Sequence, residues 1–271
     1  MNEEIIDPNR RSLFNGAELW KYRELFYFFT WRDVKIKYKQ TLLGFAWAVL
    51  QPLLMMTIFT VFARTLKIQT SVIPYQVFVF TGLLMWNIFS TGVVAASNSI
   101  INNSIIIRKI YFPRLVIPVS SVLVSLFDFM MAAILLLPLL IYYHVQVDVS
   151  AIWLWPFAIL VAVVATMGPG CLLAALNIKY RDFRYVIPFV VQVLFFLSPV
   201  IYPVAMIDNK IIQHLLVCSP IYAAIELFRV PLTGVWPNQE FLMISLSSGV
   251  VFLAIGLLYF RRTEDFFADL V

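Results

Sequence analysis

The sequence predicts an all-α polytopic membrane protein with six transmembrane helices, an N-terminal amphipathic interface helix, and two re-entrant half-helices before the last span. Three observations predict it. The 271 residues are 62% hydrophobic and only 13% charged, where a soluble domain carries roughly 25% charged residues. No Asp, Glu, Lys or Arg occurs in residues 40–63, 68–107, 149–178, 185–207 or 241–260, and each block is long enough for a membrane helix, which needs roughly 20 apolar residues. Sixteen of the twenty Lys and Arg fall on alternate connections between these blocks, the asymmetry that marks a cytoplasmic face. A water-soluble globule is excluded. The length is expected to hold one helical membrane domain, residues 1–271, without a nucleotide-binding, glycosyltransferase or extracellular one.

The opening MNEEIIDPNRR is acidic and polar, unlike the basic start and short apolar core of a cleavable signal peptide. Insertion is therefore expected to use internal spans. Residues 18–39 place Lys21, Glu24, Arg32, Lys35 and Lys39 at three- and four-residue steps, broken once at Phe28, with Leu19, Tyr22, Leu25, Phe26 and Phe29 on another face. Such a helix lies along the cytoplasmic interface. Anchoring to acidic lipid and a more specific role both stay open for it.

Spans are predicted at 42–65, 75–98, 115–143, 151–176, 185–203 and 240–260. An even number puts both termini on one side, and that side collects the basic residues before the first span, in the second and fourth loops and in the tail. The opposite side holds Arg64, Lys67, Lys210 and Arg229. Residues 207–234 are moderately apolar but carry Asp208, Lys210, His214, Glu226 and Arg229 and are broken at Pro220. Counted as a seventh span, they would put Arg261 and Arg262 outside. Two half-helices dipping into the outer leaflet avoid this, because irregular backbone survives at that depth when packed on protein or lining a wet cavity. An external helix resting on the membrane is the alternative.

The chain lacks the machinery of catalysis. No stretch fits a phosphate-binding loop, and Gly168 and Gly170 lack the third glycine of a dinucleotide fingerprint. His144 and His214 stand alone, and Cys171 and Cys218 are too few for a disulfide framework or a zinc site. Asp128 is the one acid well inside a span. Its ionised form costs about 2.5–3.5 kcal/mol at the bilayer centre on insertion scales, so it is expected to face a partner helix or water. It lies beside a translocation path or is hydrogen-bonded between helices. Aromatics make up 16% of the chain; most suit interfacial belts and packing, while aromatic faces also stack on sugar rings and let a polymer slide. The loop 98–118 holds an Ile triplet, 105–107, a basic pair and Pro113. An exposed Ile-rich turn fits a protein groove, or packs back onto the membrane domain.

As a set, these residues resemble a known family. The runs WRDVKIKYKQTLLGFAWAVLQPLL (31–54), GLLMWNIFS (82–90), RKIYFPRLVIP (108–118), NIKYRDFRYVIPFVVQVLFFLSPVIYP (177–203), SPIYAAIELFR (219–229) and YFRRTEDFFADL (259–270) are similar to the ABC-2 type permeases. More narrowly they resemble the membrane subunits of ABC exporters for polysaccharides and polyol phosphates such as O-antigen, capsule or teichoic acid. The resemblance implies that 18–39 is the family's interface helix and that Leu43 and Gly44 form the short loop at the substrate entrance. It also implies that Asn102, Asn103, Ile105, Ile106, Ile107, Arg108, Lys109 and Tyr111 belong to a coupling helix that docks on an ATP-binding subunit. Tyr180, Arg181 and Asp182 would add a smaller contact, and 207–234 would be the gate helices. Cys218-Ser219-Pro220 and Glu226-Leu227-Phe228 depart from the family's Asn-Pro and Glu-Gly-Phe patterns.

The expectation is a non-enzymatic transport subunit of a bacterial cytoplasmic membrane, with both termini cytoplasmic. It would act as a homodimer with two ATP-binding subunits that hold ATP and Mg, exporting a lipid-linked glycan through a seam on the symmetry axis. Arg32, Lys35, Lys37 and Lys39 would meet the charged lipid head at the entrance. Tyr38, Phe59, Phe62, Asp128, Phe195 and Tyr202 would line the channel. Two rivals are an ABC-2 exporter of drugs or lipids and a membrane-embedded enzyme acting on polyprenyl lipids; the latter would need more intramembrane carboxylates than Asp128.

Overall fold

A computed structural model of the chain describes residues 20–39, 44–66, 72–180, 182–264 and 267, which form helices and no strand. Of the residues singled out above, Leu19, Leu43, Lys67 and Arg181 lie outside the described set. Helix α1 is Arg23–Tyr38, α2 Ala46–Leu66, α3 Tyr75–Asn102, α4 Ser104–Lys109 and α5 Val116–Ala133. They are followed by α6 Leu136–Tyr142, α7 Leu154–Lys179, α8 Phe183–Leu197, α9 Lys210–Val217, α10 Tyr222–Thr233 and α11 Gln239–Glu264. Five stretches are long and apolar enough to cross a bilayer: Ala46–Thr65, Tyr75–Asn102, Val116–Tyr142, Val149–Lys179 and Gln239–Glu264.

Helix α3 is the centre. It is apolar on most faces, and Phe80, Leu84, Met85, Ile88 and Ile100 are fully enclosed, so it is the one span surrounded by others. Helices α5 and α7 pack along it, with α2, α8 and α10 filling the remaining sides. Burial within the chain falls from 78% along α3 to 11% along α2.

Prolines set the breaks. Pro138 has no N–H for the Ile134 carbonyl and crowds it, so the third span kinks into α5 and α6 at 134–135. The predicted fifth span, 185–203, is helical only to Leu197. Pro199 disfavours helical backbone at the residue before it, and Ser198 is extended, with φ −90° and ψ 140°. The 15 residues of α8 extend about 22 Å at 1.5 Å per residue, short of a bilayer core of roughly 30 Å. Beyond it the chain continues as the irregular stretch 198–203.

Helices α9 and α10 meet at 96°. Asn209 caps α9 by accepting from the Ile211 N–H at 2.9 Å, and Gly234, at φ +66°, ends α10 in the left-handed conformation that suits glycine. Helix α10 is buried against α7 and α3, so it is an integral part of the bundle. At the far end, Phe260 and Phe267 share a cluster with Phe29, Ile107 and Phe112. The end of α11 thus returns to the same end of the bundle as α4.

Glycines let α7 and α11 touch. A Cβ on Gly168 would lie 2.5 Å from the Leu253 backbone nitrogen, and one on Gly256 would overlap the Gly168 carbonyl. Small residues at such a crossing let two backbones meet directly. The glycine pair around Pro169 therefore serves helix packing.

Candidate functional site

Helix α1 runs parallel to the first half of α5 in a constant register. The Thr30 hydroxyl reaches the Ser120 carbonyl at 3.5 Å, Val34 clusters with Val124, and the Tyr38 hydroxyl donates to Asp128 Oδ1. Each pair is separated by ninety residues in sequence. The carboxyl end of α1 is thereby carried alongside Asp128, some 18 Å along α5 from Val116 at 1.5 Å per residue. Lys37 Nζ donates to Asp128 Oδ2. The largely covered acid at mid-span has a cation and a phenol as partners, which is what a charge at that depth needs. Burial, and then the hydrogen bond to the carboxylate, push the Tyr38 phenol well above its ordinary pKa, so it stays a donor.

This cluster borders a half-open cavity of about 390 Å³ lined by α1, α2, α3 and α5. Trp47, Leu84 and Phe129 are among its apolar walls, while Gln51, Asn87, Thr91 and Asp128 offer polar groups. Gly44, in the left-handed region at φ +51°, stands at its rim. A second, more open recess of about 650 Å³ lies between α3 and α8, bordered by Ser90, Thr91, Asn98, Asn102 and Arg184. Thr91 borders both.

The basic residues of α1 have separate surroundings. Arg32 is tied into the chain: it donates to Asp33 at 2.6 Å and to Asn103 Oδ1 at 2.6 Å, and it stacks on Phe29. Lys35 lies over the exposed Trp31 ring, and Lys39 is exposed. Tyr22, Leu25, Phe26 and Phe29 pack inward as their periodicity predicts, but Tyr27, Phe28, Trp31 and Ile36 form a second apolar face left open.

The loop after α3 divides into a seat and a face. Asn103 is buried, donating to the Ser99 carbonyl at 2.8 Å as well as accepting from Arg32. Ile107 is buried with Phe29, Phe112 and Cys171, and Ile106 packs on the same cluster. Glu264 of α11 accepts from the Arg114 N–H at 3.1 Å, so the tail braces this loop. Of the Ile triplet, Ile105 alone is open, at 69% exposure, joined by Ile110 and Tyr111; Asn102, Arg108 and Lys109 are also exposed. Tyr180 and Asp182 are exposed on the next loop at this end.

The aromatic residues expected along a channel separate likewise. Phe195 packs between Phe59 and Trp86, with ring centroids 5.5 Å from each. Tyr202 donates to the Phe196 carbonyl at 2.9 Å. Phe62 points away from the bundle.

A profile of the ABC-2 type transporter family matches residues 24–233, from the start of α1 to the end of α10. The chain belongs to the ABC-2 type transporter family. Over 242 residues this ABC-2 chain is 28% identical to the O-antigen export system permease protein RfbA of Klebsiella pneumoniae, covering 89% of this chain and 92% of that one. It is 29% identical over 252 residues to the protein of the same name in Myxococcus xanthus, covering 92% and 96%. With the polysialic acid transport protein KpsM of Escherichia coli it shares 22% identity over 253 residues, covering 86% and 91%.

The matched range ends just beyond a residue whose structural role the sequence did not reveal. Arg229 of the ABC-2 chain is counted above as an external topology marker, yet it is 2% exposed. It donates to the carbonyls of Phe78 (3.0 Å), Val200 (2.8 Å) and Pro199 (3.3 Å), pairs with Glu226 at 2.9 Å, and lies on the Phe78 ring. Gly82 leaves room for it, since a Cβ there would lie 2.5 Å from its Nη2. The guanidinium satisfies carbonyls freed where α8 ends, pinning the irregular 198–203 stretch to α3 and α10. An arginine three residues after a glutamate in an apolar segment was the available signal. The polar edge of α3, Asn87, Thr91, Asn98 and Asn102, was also missed; its spacing of four, seven and four is a helical stripe.

Proposed function

We propose that this chain is the membrane-spanning subunit of an ABC exporter that moves a lipid-linked polysaccharide of the O-antigen kind across a bacterial cytoplasmic membrane. It works as a homodimer with two copies of an ATP-binding subunit, which hold ATP and Mg, and both termini are cytoplasmic. The observation that carries the substrate class is the similarity over about nine-tenths of both chains to the O-antigen export permeases. Similarity over a shared core alone would leave drugs and lipids equally placed.

The geometry supports the division of labour. Ile105, Ile110 and Tyr111 project from a loop seated on a buried cluster, an arrangement suited to receiving force from a partner. In the same reading Tyr180, Arg181 and Asp182 flank that contact. Lys35, Lys37, Lys39, Leu43 and Gly44 stand at the substrate entrance, and α9 with α10 forms the outer gate. Helix α2, the span least covered by its own chain, offers a face to the second copy, with Phe62 on the seam.

The test is purification together with the ATP-binding subunit encoded beside this chain, followed by ATPase measurement in nanodiscs. A stable complex whose ATPase rises with lipid-linked glycan from the source strain is expected. A complex stimulated instead by small amphiphiles would assign the chain to drug or lipid export, and failure to co-purify would refute the reading.

A further inference from the structure

We propose that the cavity beside Asp128 is a saccharide-binding subsite inside each protomer, distinct from any passage between two copies; this rests on the polysaccharide reading above. Two of its polar groups are open to a ligand: among the described residues no hydrogen bond engages the side chain of the half-buried Asn87 or of the exposed Gln51, and both border the cavity. With Asp128 and Thr91 they give one side of the cavity a set of groups able to meet a polar ligand.

The ligand chemistry follows from the lining. Each amide presents both donors and an acceptor, matching hydroxyls that donate and accept. The Asp128 carboxylate, engaged by one donor on each oxygen, retains lone pairs for a further hydroxyl. Trp47, Leu84 and Phe129 supply flat apolar surface for ring C–H faces. A volume of about 390 Å³ falls in the usual range for small-ligand sites, roughly 300–1,000 Å³. An acyl chain would fill the apolar part but make no use of the two amides.

Access runs along the polar edge of α3. From Asn102 to Asn87 is about 22 Å of helix at 1.5 Å per residue. Asn98 and Thr91 lie between, and Thr91 belongs to both the open recess and the cavity. A hydroxyl-rich unit can exchange water for side-chain hydrogen bonds along that edge, with Arg184 at its outer end.

The experiment places a cysteine at Asn87 in a Cys218→Ser chain, because Cys218 is exposed and Cys171 buried. The complete complex is assayed in inverted vesicles with the membrane-impermeant reagent MTSET. Vesicles come from cells that make the polymer and from cells lacking its first sugar-phosphate transferase. Labelling in polymer-free vesicles is expected, slowed roughly tenfold where polymer is present, the protection given by a site about nine-tenths occupied. A lipid-facing control, Ile141→Cys, should be indifferent to the polymer. No labelling at either amide position would mark a dry, lipid-filled cavity, and equal rates in the two preparations would mark an empty one; either overturns the proposal. Should Asn87→Cys not accumulate, Gln51→Cys carries the same test. The underlying reading is judged separately, by whether the wild-type chain restores surface polymer to a deletion strain.

Discussion

Lys37 and Asp128 are unequal partners. The Asp128 side chain is 12% exposed and that of Lys37 45%, so removing either leaves a different problem behind. Without Asp128, the lysine can swing its ammonium toward water along a flexible stem. Without Lys37, a carboxylate stays enclosed with the Tyr38 hydroxyl as its remaining donor, and an under-satisfied buried charge costs about 1–3 kcal/mol or more. Lys37→Met is therefore expected to lower the thermal midpoint of the detergent-solubilised complex more than Asp128→Asn, and the double variant should recover part of the loss. Equal, additive losses would show that the two groups are not coupled. Asp128's need of a partner was legible in the sequence; the partner was not. It lies 91 residues away, and only the register between α1 and α5 brings it close. The partners of Arg229 were hidden for the same reason: in sequence it resembles any interfacial arginine, and two of the carbonyls it serves, those of Pro199 and Val200, lie just past a helix end within an apolar run.

Among elements, α4 shows how far periodicity reaches. Four of the five long spans were legible because a stretch of some twenty residues without charge has few alternatives to a membrane helix, and the fifth, Val116–Tyr142, is interrupted by Asp128 alone. A helix of six residues makes less than two turns, so its sequence cannot say which isoleucine faces inward. Packing decides it: Ile107 is part of the seat and Ile105 part of the face. Ile105→Asp should abolish assembly with the ATP-binding subunit while leaving expression and insertion intact, measured by co-purification. Ile107→Asp should reduce the amount of chain itself, since it buries a charge among Phe29, Phe112 and Cys171. A chain carrying Ile105→Asp that still assembles would remove this loop from the contact. The shortness of α8 was hidden in the sequence because Pro199 sits in an unbroken apolar block, where composition still resembles a span although the backbone has left the helix.

At the scale of the whole molecule, burial is uneven. Helix α3 is enclosed, whereas α2 keeps Leu54, Ile58, Val61 and Phe62 on an open side. If that side faces a second copy, Phe62→Cys in the Cys218→Ser chain should give a covalent dimer on mild oxidation of membranes, read by non-reducing electrophoresis. Monomer alone, from a complex that still retains its ATP-binding subunit, would place the seam elsewhere. The crossing of α7 and α11 sets what can move around such a seam. With a glycine on each helix and no side chain between them, the two rods have no compliant layer to slide on. They make a splint from one end of the bundle to the other, with the braced loop at its foot. A push delivered to that foot would tilt the splint as a lever rather than be absorbed by bending, and the loosely held α2 would be the board it swings against.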